Sequence, residues 1–116
     1  MSTNAVLFAW NRSLPGREPL SAQHFQDFMA YLQGLKQRGE IESFEPVLIQ
    51  PYGGELNGFF YIKGDGAKLA SVTASAEWLE HQIRGLMHLE GQAILRAATG
   101  PMVAEHMAMW TKAIPK

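Results

Sequence analysis

Cysteine is absent from this chain of 116 residues. Its absence excludes disulfide bonds, thiolate nucleophiles and zinc sites built on cysteine. An excess of charge of one sign is also lacking, because ten Lys and Arg residues oppose eleven Asp and Glu residues, for a formal net charge of -1. Since no basic patch is visible, the sequence predicts neither a nucleic-acid partner nor binding to an anionic membrane.

Long apolar segments are lacking as well. No run approaches the roughly 18 apolar residues of a membrane-spanning helix, and the polar stretch Met1–Asn4 does not resemble the start of a signal peptide. The sequence therefore predicts a cytoplasmic protein. With 47% apolar residues and no repeats or linkers, residues 1–116 are expected to form a single domain with its own core.

Strand-like and helix-like segments follow one another in the order β-α-β-β-α-β-α. Apolar and aromatic runs predict strands at Ala5–Trp10, Phe44–Gln50, Leu56–Lys63 and Gln92–Ala98. Two βαβ units joined by a hairpin correspond to a ferredoxin-like α+β fold, with an antiparallel four-stranded sheet and here an additional C-terminal helix. Pro46 favours this order, because its strand lies at the sheet edge, where a strand proline is tolerated.

The helices are predicted from their caps and apolar stripes. The first begins near Pro19 or Ser21 and ends near Gly39, with a core stripe at Phe25, Phe28, Leu32 and Leu35. Asp65 and Ser75 predict the N-caps of two later helices. The second of these, from about Glu77 to His88, is expected to bury its apolar stripe of Leu79, Ile83, Leu86 and Met87.

Four polar residues lie nearly opposite that apolar stripe, at Glu77, His81, Arg84 and His88. A histidine and a carboxylate four residues apart can share a metal ion, but Arg84 in the middle of the row would repel a cation. The row is therefore interpreted as a solvated face or a subunit contact, and no metal site is expected.

Both faces of the two central strands are apolar. Val6 and Phe8 alternate with Leu7 and Ala9, and Phe60 alternates with Phe59 and Tyr61. A four-stranded sheet with helices on one face would leave a large apolar patch on the other, which usually marks an interface. We expect a homodimer or higher homo-oligomer paired through the sheet. The alternative is that the Met-rich final helix folds across this face of its own chain.

Several stretches resemble the dimeric α/β-barrel superfamily, in which two ferredoxin-like subunits pack sheet against sheet. They are Asn11-Arg12, Pro15–Glu18, Ile41–Leu48, Gly53–Phe60 and Gly64-Asp65. More narrowly, the chain resembles an uncharacterised bacterial family of that type, over nearly its whole length. The resemblance implies the fold and the dimer but not the activity, because the superfamily contains cofactor-free oxygenases, haem-degrading enzymes, isomerases and plain ligand binders.

Asn11, Trp78 and His88 occur in the order that haem-degrading members of the superfamily use for these residue types. The register differs, because the serine that follows the Trp in those enzymes is replaced here by Ser75 in front of Trp78. Aligning the serines puts Gln82 near the ligand position. We therefore expect no haem, and no other cofactor.

A ligand site, if present, is predicted between the sheet and the helices near the end of the first strand. Trp10 offers an aromatic wall, Asn11 an amide donor and acceptor, and Arg12 a positive charge. The other predicted binding residues are Tyr61 and Trp78, and His24 and His81 are possible contributors. The alternative is that Trp10 fills the core and that Asn11 caps the Pro15-Gly16 turn.

The catalytic candidates are His24, His81 and Arg96. A histidine can act as a general base at neutral pH. Arg96 lies in an apolar strand, and with Tyr61 and Lys63 it is interpreted as marking the more polar sheet face. Its anionic partner would be a substrate carboxylate or enolate, a carboxylate of the other subunit, or Glu45 or Glu55. Ser13 and Ser21 lack the sequence context of an activated nucleophile.

Three functions remain open from the sequence, and whether the protein is an enzyme is one of the open points. The first is a module that binds a small apolar or aromatic molecule. The second is a cofactor-free oxygenase or isomerase-like enzyme acting on a small aromatic or enolisable substrate. The third is a structural oligomer without a pocket. A pocket lined by the polar candidates favours the second function, and a sealed core favours the third.

Overall fold

The computed structural model describes residues 2–116 of the chain. Six strands are present: β1 Ala5–Trp10, β2 Arg12–Ser13, β3 Ser43–Leu48, β4 Gly58–Lys63, β5 Leu89–Glu90 and β6 Ala93–Ala97. Four helices accompany them: α1 Glu18–Gln37, α2 Gly66–Thr73, α3 Ala76–Leu86 and α4 Met102–Ala113. Apart from the two-residue strands β2 and β5, each of these elements was predicted from the sequence.

The main sheet has four antiparallel strands in the order β3-β4-β1-β6. The first and third of them along the chain are central and the second and fourth are edges, as in a ferredoxin-like split βαβ fold. The predicted α+β fold class is thus confirmed. Pro46 lies in the edge strand β3, opposite Phe60 of β4, where the missing amide N–H can face away from the ladder.

The core lies between one face of this sheet and the helices α1, α2 and α3. Phe8 and Ile62 of the sheet are buried with Leu32 of α1, Leu69 of α2 and Trp78 of α3. Phe8 contacts Phe28 with a centroid separation of 4.8 Å and Trp78 at 6.0 Å. Edge-to-face and tilted ring pairs at these distances add to the free energy of area burial.

Local sequence signals fix the helix ends. The Asp65 carboxylate accepts a hydrogen bond from the Lys68 backbone N–H at 3.1 Å, and the Ser75 hydroxyl accepts one from the Trp78 N–H at 3.2 Å. Both predicted N-caps are confirmed. Gly39 follows α1 with φ of +73°, a left-handed conformation in which a β-carbon is disfavoured.

The predicted orientation of α3 is wrong. Its apolar stripe points outward, with 62% of Leu86 exposed, and Leu79, Ile83 and Met87 are exposed as well. The inward side carries Trp78 and Gly85 and leads to His88, which lies two residues beyond the helix and is 3% exposed. The interpretation of the polar row as a solvated face is therefore also wrong for His88. Burying Trp78 removes more apolar area from water than burying one leucine, and the inward histidines are hydrogen-bonded.

The opposite face of the sheet is not covered by α4. None of the side chains of α4 is buried against residues 2–116, and 63% of Trp110 is exposed. Leu95 of β6, which points to the open face beside Leu7, is 47% exposed. Among the described residues, no helix is long and apolar enough to cross a membrane.

Candidate functional site

A cavity of about 300 Å³ lies between α1 and the sheet at the end of β1. Its volume is at the lower end of the range for small-molecule sites. The walls are mostly aromatic and aliphatic, with a few polar groups at one end. The lining consists of Phe8, Trp10, Arg12, Ser13, Ser21, Ala22, His24, Phe25, Phe28, Leu48, Phe60, His88 and Leu89.

Trp10 forms one wall of the cavity. Its indole packs against Phe60 at a centroid distance of 5.6 Å and against Phe25 at 6.4 Å, the latter in an edge-to-face arrangement. Gly58 on the neighbouring strand makes room for the indole, because a β-carbon at Gly58 would lie 2.6 Å from Cζ2 of Trp10. These rings leave aromatic surface open to the cavity, which suits a flat apolar ligand.

The polar end of the cavity is formed by Ser13, Ser21 and His88. The Ser13 and Ser21 hydroxyl oxygens are 2.6 Å apart, and the Ser21 hydroxyl lies 2.7 Å from Nδ1 of His88. The two short strands β2 and β5 bring these side chains together, because they pair Ser13 with Leu89, the neighbour of His88. The Leu14 N–H also donates to the His88 carbonyl at 2.8 Å.

A row of three imidazoles continues from this polar end. Nε2 of His88 lies 2.7 Å from Nδ1 of His24, and Nε2 of His24 lies 3.0 Å from Nδ1 of His81. The rings of His24 and His81 are nearly parallel, with 6° between their planes. His24 and His88 are buried, at 4% and 3% exposure, whereas His81 is half-buried. A chain of hydrogen bonds thus joins the cavity to the surface between α1 and α3.

The electrostatic surroundings keep these histidines neutral. Burial, followed by the nearby Arg84 and the other two histidines, lowers the pKa of His24 from 6.5 to about 4, against a weaker opposing effect of Asp27. Burial and Arg84 also lower the pKa of His81 and of His88. Nη2 of Arg84 is itself paired with Asp27 at 2.6 Å. At neutral pH the imidazoles are therefore bases rather than cations.

Arg12 supplies a positive charge at the rim of the cavity. Its Nε donates to the Glu90 carboxylate at 2.8 Å, which raises the pKa of Arg12 and orients the side chain. The guanidinium has further N–H groups beyond the one used by Glu90. Nearby, the Arg17 guanidinium donates a hydrogen bond to the Met87 backbone carbonyl and so links the start of α1 to the end of α3. The further N–H groups of Arg12 can donate to a carbonyl or carboxylate oxygen of a ligand.

Of the residues predicted from the sequence, Trp10, Arg12 and His24 line the cavity. His81 is one hydrogen bond further from it, beyond His24. Asn11 is adjacent but does not line the cavity, and its Oδ1 accepts from Nδ2 of Asn57 at 2.7 Å. Asn11 thus ties β1 to the β3–β4 connection rather than capping the Pro15-Gly16 turn.

The other three predicted residues lie elsewhere. Trp78 is 1% exposed in the core, and its Nε1 donates to Gln82 Oε1 at 2.6 Å. Tyr61 pairs with Leu7 and so points to the open sheet face, away from the cavity. Arg96 pairs with Val6, whose side chain is on the helix side.

The interpretation that Arg96 shares a polar face with Tyr61 and Lys63 is therefore wrong. The strand register places the side chain of Arg96 on the face of the sheet opposite to the one that carries Tyr61 and Lys63. The arginine is also exposed at the edge strand β6 rather than buried. It lines a second cavity with Asp65 and Met102. Because the side chain is exposed, it can be solvated by water without an ion pair.

Sequence reasoning missed Ser13, Ser21 and His88 as members of a site. A signal for Ser21 was present, because Ser21 and His24 continue the spacing of the buried stripe Phe28, Leu32 and Leu35 along α1. Polar residues at core positions of a helix need partners. Their partner His88 is 64 residues from His24 in the sequence, and no local pattern links the two.

Metal binding does not fit this arrangement. Within residues 2–116, no group of three or more histidine or acidic side chains is disposed to hold a metal ion. Both ring nitrogens of His24, and both of His88, already face another side chain at 2.7 to 3.0 Å. A metal ligand would need one of these nitrogens to face an open position. Haem ligation by His88 is disfavoured for the same reason.

The chain matches no family model, no curated protein and no solved structure. What the site does is therefore inferred from its own geometry and chemistry.

Proposed function

We propose that this protein binds a small, flat and mainly apolar molecule in the cavity beside Trp10. The observation that carries the proposal is an aromatic cavity of about 300 Å³ with its polar groups gathered at one end. Ligand sites commonly combine apolar walls with a few convergent polar groups that fix orientation. A one-ring or two-ring compound suits this volume.

The ligand is expected to carry a carbonyl or carboxylate group. Arg12 at the rim uses its Nε for the ion pair with Glu90 and has further N–H groups that can donate to a ligand oxygen. The hydroxyls of Ser13 and Ser21 can donate to or accept from a neutral oxygen. The ring of the ligand would pack against Trp10 and Phe60. The alternative of a purely structural oligomer is less well supported, since such a protein would need no cavity lined by buried histidines.

Tryptophan fluorescence tests the proposal directly. Phenylacetate, added to a variant in which Trp78 and Trp110 are replaced by phenylalanine, is expected to change the emission of Trp10 saturably. Phenylacetamide, its uncharged analogue, should bind about tenfold more weakly if Arg12 contributes about 1.4 kcal/mol. Arg12→Gln should remove this difference between the two compounds.

Two substitutions on the exposed side of α1 provide a matched control. Ala22 is an exposed residue that lines the cavity, so Ala22→Phe should obstruct the cavity and abolish the saturable signal. Ala30 is exposed on the same helix away from the cavity, and Ala30→Phe should bind like the parent protein. Equal binding by Ala22→Phe and Ala30→Phe would contradict the proposal. The absence of a saturable change in Trp10 emission with either phenylacetate or phenylacetamide would contradict it as well.

We further propose that two copies pair through the open sheet face. Two observations support this arrangement. Leu7, Phe59 and Leu95 form an apolar area that α4 leaves uncovered. The two charged side chains of this face, Glu45 and Lys63, have opposite signs and can complement each other between copies. A two-fold pairing would place the same apolar area on both sides of the interface.

Membership of the dimeric α/β-barrel superfamily belongs to the same proposal. It is supported by the split βαβ sheet with one open face and by the sequence stretches that resemble that superfamily. A cytoplasmic setting for the binding activity is likewise proposed.

A further inference from the structure

We infer that the hydrogen-bonded row from Ser13 to His81 is a proton relay, which makes the cavity a general-base site for isomerising small enolisable carbonyl compounds. This inference rests on the proposed binding function, because the relay acts on a molecule held in that cavity. Ser13, Ser21, His88, His24 and His81 form the row in that order, with neighbouring polar atoms 2.6 to 3.0 Å apart.

The row can exist in two forms that differ only in the direction of its hydrogen bonds. A neutral imidazole has one N–H donor and one acceptor nitrogen. If Nε2 of His88 donates to His24, then His24 must donate onward to His81, and Nδ1 of His88 is left to accept from Ser21. In the reverse form every donor points toward the cavity. A hydroxyl at each of the two serines can follow either direction.

One proton passing through the row converts the first form into the second. A substrate proton is taken by the Ser13 oxygen while the Ser13 proton moves to Ser21 and the Ser21 proton moves to Nδ1 of His88. The Nε2 proton of His88 then moves to His24, and that of His24 moves to His81, whose own Nε2 proton leaves to water. The substrate is left as an anion, and every relay residue is neutral again.

The second form can return a proton to the bound anion. A C–H bond broken at one position of an enolisable carbonyl compound leaves an electron pair delocalised toward the oxygen. Reprotonation at the oxygen or at another carbon gives an isomer and restores the first form of the row. No oxidant, metal or other co-reactant is needed. Arg12 at the rim would stabilise the enolate charge.

The groups around the row favour neutral histidines. The positive charge of Arg84 acts on all three histidines and disfavours a second positive charge there. Asp27 is held by Arg84, and the carboxylates of Glu77 and Glu80 act weakly on His81 from α3. Because the histidines stay unprotonated at neutral pH, the row is then in its proton-accepting form, while the lowered pKa values also make each imidazole a weaker base.

Covalent catalysis by Ser21 is less well supported, although Ser21, His88 and His24 have the connectivity of a nucleophile, a base and an orienting group. The backbone N–H groups that would stabilise an oxyanion beside Ser21 are occupied. Those of Leu20 and Ser21 both donate to the Arg17 carbonyl, at 3.0 and 3.1 Å, and Pro19 has none.

Ring opening of 5-nitrobenzisoxazole is a direct test, because this flat apolar compound has one acidic C–H. A base removes that proton, the C–H electron pair forms a nitrile, and the N–O bond breaks to release a coloured phenolate. The parent protein should accelerate the reaction. His24→Phe and His81→Phe should each reduce kcat about a hundredfold, within the range for general-base catalysis, whereas His106→Gln on α4 should not change it.

Two readouts separate a relay from a merely structural role. In the parent protein, kcat should fall in D₂O, because the relay protons exchange with solvent, and His81→Phe should lose this isotope effect. The rate should also persist below pH 6.5 and fall only as the histidines become protonated. Circular dichroism and thermal unfolding identify any variant that fails to fold. If His24→Phe fails to fold, the kcat of His81→Phe tests the relay, because His81 is only half-buried and its replacement disturbs the core less.

The possible outcomes are distinguishable. If the compound competes with phenylacetate for Trp10 but is not converted, the relay is wrong and the binding function stands. If neither compound binds, the binding function itself is wrong. Labelling of Ser21 by a fluorophosphonate would overturn the relay in favour of a nucleophile. Conversion with the expected loss in His24→Phe and His81→Phe would support the relay.

Discussion

Among single residues, His24 bonds through both ring nitrogens to other imidazoles while almost completely buried. Its ring also packs against Phe28 at a centroid distance of 6.1 Å. Protonating this ring would place a charge among aromatic side chains and beside Arg84, and would remove one hydrogen-bond acceptor from the row. The lowered pKa of His24 therefore links the stability of the fold to pH.

Acidification from pH 7 to pH 5 is expected to destabilise the protein by about 2 kcal/mol through His24 alone. The pKa of His24 is about 4 in the folded state and 6.5 as an ordinary value. Between these values the unfolded chain binds more protons, so the stability present above pH 6.5 is lost as the pH falls toward 4. The lowered pKa values of His81 and His88 act in the same direction. Urea unfolding at the two pH values measures the loss.

Two variants control this measurement. His24→Phe should reduce the dependence of stability on pH in this range, whereas His106→Gln should retain it. Equal free energies of unfolding at pH 7 and pH 5 in the parent protein would show that the histidine row is not buried as described.

Gly58→Ala should weaken ligand binding by displacing Trp10. The added β-carbon would lie 2.6 Å from Cζ2 of the indole, so the ring must shift within the cavity region. We expect about a tenfold loss in phenylacetate affinity, equivalent to about 1.4 kcal/mol. Gly34→Ala in α1 is the comparison, because its β-carbon makes only a 3.4 Å contact with Arg38. That change should stabilise the helix by about 0.5–1 kcal/mol and leave affinity unchanged.

Among the elements, α3 has the least expected orientation. Its outward side is formed by leucine and isoleucine side chains, and its inward side by Trp78, His81 and Gly85. At Gly85 a β-carbon would lie 1.8 Å from Oε1 of Gln92. The close approach of Gln92 to Gly85 and the burial of the Trp78 indole thus favour turning this side of α3 toward the core rather than the more hydrophobic leucine and isoleucine side.

Substitutions on the two sides of α3 test this orientation. Trp78→Ala should cost about 3–5 kcal/mol, because it opens a cavity in the core. Ile83→Gln should change the free energy of unfolding by less than about 0.5 kcal/mol, because Ile83 is largely exposed. Chemical unfolding at low protein concentration measures both. A large loss for Ile83→Gln together with a small loss for Trp78→Ala would indicate that the helix is turned the other way.

At the level of the whole molecule, the helices cover one face of the sheet and leave the other open. The cavity and the histidine row lie on the covered side, whereas Phe59, Tyr61 and Leu95 lie on the open side. The proposed ligand binding and the proposed pairing would therefore use opposite faces of the same sheet. A change that separates the copies need not alter the cavity directly.

The proposed dimer is expected to dissociate when a charge is placed on the open face. Light scattering should return twice the chain mass of 12.9 kDa for the parent protein. Phe59→Glu should return the single-chain mass, because a carboxylate buried without a partner is strongly unfavourable. Ile83→Glu, on the outward side of α3, should leave the dimer intact. A monomer in the parent protein at micromolar concentration would contradict the proposal.

Local patterns in the sequence determined the elements and much of the fold. The apolar run Ala5–Trp10 is strand β1 with the predicted bounds, and Asp65 and Ser75 cap the helices that they were expected to cap. Pro46 correctly indicated an edge strand. These signals are short in range, because caps, turns and strand alternation depend on a few neighbouring residues. A cavity also lies at the end of β1, where the ligand site was predicted.

Only the tertiary structure decided which faces the elements turn inward and which polar residues meet. The apolar stripe of α3 was the better core candidate by composition, but Trp78 and the partners of His88 lie on its other side. The row from Ser13 to His81 joins α1, α3 and a short strand pair that has no sequence signature of its own. Whether a buried imidazole is tolerated depends on the hydrogen bonds that await it, and those partners come from segments more than 50 residues apart.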